Sequence, residues 1–446
     1  MLKSSIHEML FQLGQQELSI GLESLSSTAL EKFSLQLQKY SSALSVLQKG
    51  LLSQPKKTFP NEVKPCSHFS LSGNTEDKKI GEELVRQGKV GCLILAGGQG
   101  TRLGFEGPKG SFPVSPIKNK SLFQLFCERT KAASAWSGHP LPLCIVTSPL
   151  NHTETVKFFE ENVFFGLSPS QVFFIMQENL PFLDNHGDWM LEHPGKIAEG
   201  PDGNGHALRL FFSSGVWEKW KQGGIEFLNV IFVDNALADP FDLEFAGFAA
   251  RNQSDVALKA VERLSPEEKM GVLIESEGKL KVIEYTELPS GVSAFPFSSP
   301  GMFCFSMQFI AHLFQQMNVE LPLHLARKKA LVLLGTAKGF VQEIAHVWKC
   351  ERFIFDFLDY ARKTAVVVYP REKIYAPLKN AIGEKSVDSV KRALLLHDRE
   401  IFQTLTGRMP PAASFELDPA FYYATEPLRE RLLTVPLSDQ DYISSV

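Results

Sequence analysis

No stretch of the 446-residue chain reaches the roughly 18 to 20 consecutive apolar residues that a membrane helix requires, so no membrane partner is expected. Its opening, MLKSSIHEML, alternates polar with apolar residues where a signal peptide would carry an apolar core; the expectation is a soluble, unprocessed, cytoplasmic protein. Cysteine is scarce, with six residues at 66, 92, 127, 144, 304 and 350 and no C-x-x-C pair. Cys92 and Cys144 lie inside apolar runs, where a buried, reduced thiol is expected. An excess of positive charge is also missing. With 46 basic against 50 acidic residues the formal net charge is −4, which argues against nucleic acid as a partner. There is no Walker Gly-Lys-Ser/Thr, no G-x-G-x-x-G and no internal repeat. The 35 phenylalanines are spread along the chain as core filling and form no base-stacking platform.

What the chain does have is Leu95-Ala96-Gly97-Gly98-Gln99-Gly100-Thr101-Arg102-Leu103-Gly104, followed by Pro108-Lys109-Gly110. The apolar run Val90 to Leu95 reads as a buried strand, and the glycines begin where that strand should end. Backbone N–H groups can hold phosphates only where no Cβ obstructs them, a condition that glycines at 97, 98, 100 and 104 meet. Arg102 and Lys109 add the fixed positive charge that a triphosphate needs. Strand, glycine loop and two cations together point to a phosphate site.

At this length two or three domains are expected. Residues 1 to about 50 carry apolar residues at helical spacing, such as Ile6, Leu10 and Leu13, and then Leu30, Phe33 and Leu37, and predict two or three amphipathic helices. The polar stretch from Ser53 to Lys79 reads as a linker. From Val90 onward strand and helix alternate. Val90–Leu95, Leu141–Thr147, Val172–Met176 and Phe227–Val233 read as strands, with helices near 122–134 and 153–162. The fold class is therefore α/β, a mixed, mainly parallel Rossmann-like sheet flanked by helices, in which ligands lie beyond the carboxyl ends of strands. The expected division is an N-terminal helical region with its linker at 1–88, a catalytic domain at 89–365 and a small C-terminal domain at 366–446 opened by the strand-like run Thr364 to Tyr369.

Asp234 follows the apolar run Phe227–Val233. Its residue type suits both a turn and a Mg²⁺ ligand. Lys379, in Ala376-Pro377-Leu378-Lys379-Asn380, reads by itself as a surface lysine, and Gln177 as an ordinary strand-end glutamine.

The run LAGGQGTRLG with PKG resembles the signature loop of the UDP-sugar pyrophosphorylases, which make UDP-sugars from UTP and a sugar 1-phosphate. Further similar blocks follow in order: Pro201-Asp202-Gly203-Asn204-Gly205, Val233-Asp234-Asn235 with Ala238-Asp239-Pro240, Gly271-Val272, Glu284-Tyr285 with Glu287, Phe353-Ile354-Phe355-Asp356, and Pro377-Leu378-Lys379-Asn380. The PDGNG block is most similar to the UDP-N-acetylglucosamine branch. The resemblance implies a GT-A-like nucleotidyltransferase fold and Mg²⁺ as cofactor. Uridylyl transfer from UTP to N-acetylglucosamine 1-phosphate is the implied reaction. Transfer to glucose 1-phosphate, or a catalytically silent sugar-nucleotide binder, are the alternatives.

Carried over residue by residue, the resemblance implies that Arg102, Lys109 and Lys379 act on the phosphates and that Asp234 holds the metal. It implies that Gly97, Gly98, Gly100, Thr101, Gln177 and Gly203 bind the nucleotide, Gln177 reading uracil with Gly98 and Gly203 approaching the ring. Asn204, Gly271, Glu284 and Phe355 are expected to meet the sugar, with Gly271 and Glu284 on a strand, turn and returning strand. Two departures bear on the sugar. Pro296-Phe297-Ser298-Ser299-Pro300-Gly301-Met302 stands where that branch has an asparagine-rich segment, and His206 where a further glycine is common. Oligomeric state is not readable.

Overall fold

The structure, a computed structural model, describes residues 2–53, 62–285, 287–288, 295–336, 339–410, 414–435 and 440–445. Part of the expected linker, residues 54–61, lies outside them. The chain forms two compact units: Met1–Asn61 with Glu178–His206 and Glu320–Ile354, and Glu62–Gln177 with Ala207–Val319 and Phe355–Val446. These units are discontinuous in sequence, unlike the consecutive division 1–88, 89–365 and 366–446.

In the first unit the expected amphipathic helices are Leu2–Leu13, Ser27–Leu37 and Ser42–Ser53. The second is capped by Ser26, whose hydroxyl accepts from the Ala29 N–H. Their apolar stripe (Ile6, Leu10, Phe33, Leu37) buries against Trp189, Leu191 and Ile197. Gln15 and Gln48 accept from the backbone and indole N–H groups of Trp189 at 2.9 and 2.8 Å, so its polar atoms are satisfied in the core. A long ribbon pairs His324–Thr336 with Gly339–Glu351 antiparallel.

The second unit is built on a sheet in which Phe227–Phe232, Val90–Leu95, Leu143–Thr147 and the edge strand Val172–Met176 lie side by side and parallel. Val90–Leu95 is buried throughout, as its unbroken apolar sequence demands. Phe303–Ser306 inserts antiparallel between Phe227–Phe232 and Val256–Glu262, which makes the sheet mixed. The chain winds outward from Val90–Leu95 through Leu143–Thr147 to Val172–Met176, then returns to Phe227–Phe232 on the opposite side. That reversal is the topological switch point where α/β sheets bind ligands, and the glycine loop and Asp234 leave the two strands that flank it.

Thr364–Val368 is not the start of a separate domain. It runs parallel to Val256–Glu262 as part of the main sheet. The rest of the C-terminal region packs helix Val387–Thr406 on the strand pair Ser414–Leu417 and Gln440–Ile443, with Phe402, Phe415, Phe421, Leu432 and Ile443 as a small core of its own. It remains within the second unit. All six cysteines are free and buried. Among the described residues no helix is long and apolar enough to cross a membrane.

Candidate active site

The glycine loop is held from its carbonyl side. Asn151, buried, donates through Nδ2 to the carbonyls of Ala96 and Gly98 at 2.9 and 3.1 Å, and its Oδ1 accepts from the Ser148 N–H at 2.8 Å. Ser148 Oγ donates to the Gly97 carbonyl at 2.8 Å. Three successive carbonyls are thus turned into the protein. Among the described residues the N–H groups of Gly97 and Gly98 have no partner, and a Cβ built on Gly98 would meet nothing within 4 Å. The loop then closes on itself: Gly100 N–H donates to the Gly107 carbonyl and Lys109 N–H to that of Gly98. Thr101 opens the turn Thr101–Leu103, which presents Arg102 to solvent.

Gln177 continues from Val172–Met176, its N–H donating to the Thr147 carbonyl. Its side-chain amide lies so close to Gly97 that a Cβ there would sit 2.5 Å from Nε2, so a larger residue at 97 would have to displace the Gln177 amide. Gln177 is a buried residue, and its side-chain amide makes no hydrogen bond within the described residues. Buried amides are normally paired, which leaves this one available to a ligand.

Asp234 follows Phe227–Phe232, and its backbone carbonyl accepts from the Leu378 N–H at 2.8 Å. This contact brings the Pro377-Leu378-Lys379 segment beside it, with Lys379 Nζ 3.8 Å from Asp234 Oδ2. Burial pushes the Lys109 ammonium below the ordinary lysine range; Asp234 opposes this, while the like charges of Lys379 and Arg102 add to it. Burial also acts against the Lys379 ammonium, but Asp234, Tyr375 and Glu284 outweigh it and hold that group above the ordinary range. Arg102, Lys109, Lys379, Asp234 and Glu284 therefore share one electrostatic neighbourhood. Among the described residues neither Arg102 nor Lys109 has an ion-pair or hydrogen-bond partner for its side chain. Such a cluster is short of negative charge until an anion arrives.

Gly271 opens the strand Gly271–Ser276, which pairs antiparallel with Lys279–Ile283 in a register that sets Val272 opposite Ile283. The strand, turn and return expected between Gly271 and Glu284 are present. Phe355 lies partly buried in the turn Ile354–Tyr360.

In the first unit the PDGNG block is fastened to Arg352. Gly203 has φ +92, and a Cβ on it would lie 2.3 Å from the Arg352 carbonyl oxygen, so this glycine is needed for a backbone neighbour. That differs from the expectation that its missing Cβ makes room for a base. Asn204 Oδ1 accepts from the Ile354 N–H at 2.8 Å, leaving its Nδ2 as the group with hydrogen-bonding capacity. His206 Nδ1 lies 2.8 Å from Oδ2 of the buried Asp202.

A sequence model of the family described as UTP–glucose-1-phosphate uridylyltransferase matches residues 30–422. The chain belongs to this family. UDP-N-acetylglucosamine diphosphorylase 2 of Arabidopsis thaliana is 33% identical to the enzyme over 381 residues, 78% of this chain and 74% of the relative. UDP-N-acetylglucosamine pyrophosphorylase of Saccharomyces cerevisiae is 28% identical over 411 residues, 85% of this chain and 86% of the relative. The crystal structure of the uridine diphosphate N-acetylglucosamine pyrophosphorylase from Trypanosoma brucei superposes with a TM-score of 0.80 at 25% identity, covering 99% of this chain and 98% of that one. The enzyme is thus a UDP-sugar pyrophosphorylase, a nucleotidyltransferase whose substrates are UTP and a sugar 1-phosphate, and the mixed, mainly parallel fold is the expected one.

Four residues went unassigned in the sequence reading of this uridylyltransferase. Asn151 and Ser148 act through loop carbonyls 51 to 55 positions away, a distance that no local motif reveals. Asn235 stood in a quoted block without a role. Lys385, whose carbonyl accepts from Lys379 N–H at 2.7 Å, has its ammonium pushed down by burial and then by the charge of Lys379.

Proposed function

We propose that the enzyme joins UTP to N-acetylglucosamine 1-phosphate, forming UDP-N-acetylglucosamine and pyrophosphate. The transfer chemistry is carried by one observation: Lys379 lies 3.8 Å from Asp234, with Lys109 and Arg102 in the same electrostatic neighbourhood, beside a loop whose Gly97 and Gly98 N–H groups are open. In the reaction a phosphate oxygen of the sugar 1-phosphate attacks the α-phosphorus of UTP, and the bond to the pyrophosphate oxygen breaks. The nucleophile is already an anion near neutral pH, so the protein's task is to bring two anions into line and neutralise their charge. Lys109 and Arg102 fit the UTP phosphates and the leaving pyrophosphate, with Gly97, Gly98, Gly100 and Thr101 as the surrounding backbone. Lys379 fits the phosphates beside Asp234.

Magnesium suits this arrangement. Mg²⁺ is usually held by one or two carboxylates together with substrate phosphates. The Asp234 carboxylate accepts no hydrogen bond among the described residues, and no group of three His, Cys, Asp or Glu side chains there could hold an ion by itself. Asp234 would hold the metal, which when bound supplies charge neutralisation at phosphate oxygens.

The unpartnered amide of Gln177 suits the donor and acceptor edge of uracil, with Gly98 and Gly203 as the family's backbone contacts. Asn204, Gly271, Glu284 and Phe355 are assigned to the sugar by their match to the family blocks. The choice of N-acetylglucosamine rests on the names of the relatives. One observation favours glucose 1-phosphate as a second reading: in the segment that lacks asparagine, Phe297–Ser299 is a strand and Ser298 is wholly buried, away from any solute.

Pyrophosphate release with UTP or ATP against each sugar 1-phosphate tests the proposal. UTP with N-acetylglucosamine 1-phosphate is expected to turn over fastest, because a purine leaves a pyrimidine site's polar groups unpaired. Equal turnover with ATP removes Gln177 as a base reader. A preference for glucose 1-phosphate changes the sugar. Binding of UDP-sugar without release from any pair means a silent binder.

A further inference from the structure

Asp234 and Lys379 lie 145 positions apart in sequence, yet their side chains are neighbours. The residue that joins their segments is Asn235. It is buried, its Nδ2 donates to the Ile374 carbonyl at 2.8 Å, and its Oδ1 accepts from the Ala376 N–H at 2.9 Å. Both bonds run to the backbone just ahead of Lys379. Around them the Ala236 N–H donates to the Ala376 carbonyl at 3.2 Å and the Leu378 N–H to the Asp234 carbonyl at 2.8 Å. Asn235 itself bridges Pro377 in an antiparallel pairing. A buried side-chain amide that both donates to and accepts from one short backbone segment sets that segment's height and direction together, which a single bond cannot do.

The segment is also held by burial of Ile374, Ala376 and Leu378 in the core, and Asn235 adds the side-chain clamp that ties its backbone to the Asp234 turn. The described portion runs from the short helix Arg371–Ile374 through Tyr375 to Leu378, and Lys379 leaves it with its N–H bonded to Lys385. A lysine on a flexible stem is a poor positional element unless its Cα is held, because four rotatable bonds spread its ammonium over several ångströms. Catalysis by preorganised charge depends on such placement, and a misplacement of about 1 Å can cost about 10²-fold.

We propose that Asn235 is a positioning residue for the transfer reaction: it clamps the Ile374–Leu378 backbone to the Asp234 turn and so fixes Lys379 over the phosphates. The inference rests on the assignment of Lys379 made above. It contributes no atom to the substrates. Its effect passes wholly through Lys379, and that property separates it from a merely structural asparagine.

A double-mutant cycle on the full-length enzyme tests this, using Lys379→Ala, Asn235→Ala and the pair, with UTP and N-acetylglucosamine 1-phosphate as substrates. Lys379→Ala is expected to lower kcat about 10²-fold, as loss of one preorganised charge does. Asn235→Ala should lower kcat about 10-fold with KM for UTP little changed, since the glycine loop and Gln177 are untouched. The double variant should match Lys379→Ala alone. If the two losses multiply, Asn235 acts independently of Lys379 and the clamp is overturned. If Lys379→Ala turns over normally, the assignment of Lys379 fails, a result distinguishable from failure of the clamp. Should Asn235→Ala not fold, the cycle is run with Asn235→Ser, which keeps one polar atom. Amide hydrogen exchange at Ala376 and Leu378 gives a second readout: the clamp requires faster exchange there in the Asn235 variant and none in Lys379→Ala, and unchanged exchange overturns it.

Discussion

Lys109 and Lys120 stand eleven positions apart in the same unit, and the structure treats them in opposite ways. Lys120 is almost wholly buried and fully answered: Glu128 lies 2.7 Å from its ammonium, Glu416 3.7 Å, and the Tyr442 hydroxyl 3.1 Å. Burial acts against its charge, but Glu128 and Tyr442 outweigh it and hold the ammonium above the ordinary range. Glu416 in turn accepts from the Ile117 and Lys118 N–H groups at 2.7 and 2.9 Å, which binds the C-terminal strand pair to the loop ahead of helix Leu122–Ser137. Lys259 is also buried and paired, with Asp242, under the Tyr369 ring. At Lys109 burial prevails, like charges stand near, and the one carboxylate in reach is shared with Lys379. Compensated buried charge holds this fold together, whereas charge left short of partners is what the proposed phosphate site requires.

Exchanging the two behaviours breaks the comparison most severely at Lys120. Lys120→Ala leaves Glu128 and Glu416 without their cation, and stripping one partner from a buried pair typically costs about 3–5 kcal/mol. Urea unfolding should show that loss, while activity per folded molecule is largely kept. Stability within error of wild type would place Lys120 outside the structural class.

Lys109→Ala should do the reverse. Turnover is expected to fall about 10²-fold or more while the unfolding midpoint is unchanged or slightly higher, because an unfavourable buried charge has gone. A variant that loses stability and keeps its rate removes Lys109 from the phosphate site.

Asp234→Asn sharpens the contrast within the cluster itself. It keeps size and turn-forming capacity but removes the negative charge that a hard cation needs. Loss of outer-shell partners alone costs about 10- to 100-fold in metal affinity, so the Mg²⁺ concentration for half-maximal rate should rise at least about tenfold. Superimposable Mg²⁺ titrations would mean that the metal is held elsewhere.

The smallest effect belongs to a buried acid that its hydrogen bonds answer only in part. Burial raises the Asp398 carboxyl to about 7, Glu416 adding to it while the Tyr422 hydroxyl, the Leu417 N–H and Arg129 pull the other way. An acid whose folded pKa exceeds its unfolded value of about 3.9 favours the fold in acid and loses that contribution as pH rises through about 7. Asp398→Asn, which mimics the protonated form, should therefore raise the melting temperature by a few degrees at pH 8 and leave it unchanged near pH 4. An equal shift at both pH values would show that the carboxyl titrates normally.

Much of this enzyme was legible before any tertiary contact was known. The strand Val90–Leu95 was evident from its unbroken apolar run, and the glycine loop from the glycines that follow that strand, because both signals are local. The helices at the N-terminus announced themselves by spacing, since amphipathicity is a property of neighbouring turns. Division into units was less legible. Thr364–Val368 has the composition of any buried strand, and nothing within it says that its partner is Val256–Glu262.

Sequence alone determined the residue types available to the proposed chemistry: an acid after a strand, a lysine after a proline, and glycines after a buried strand. Only the tertiary structure decided which of them meet. Lys379 became a neighbour of Asp234 because an asparagine and four backbone groups join two segments remote in the chain. Gly203 proved to make room for the Arg352 backbone, and Asn151 to hold the loop's carbonyls inward. The reason is physical: propensity and periodicity act over a few residues, whereas hydrogen bonds and Coulomb forces act over a few ångströms, and only the folded chain converts one distance into the other.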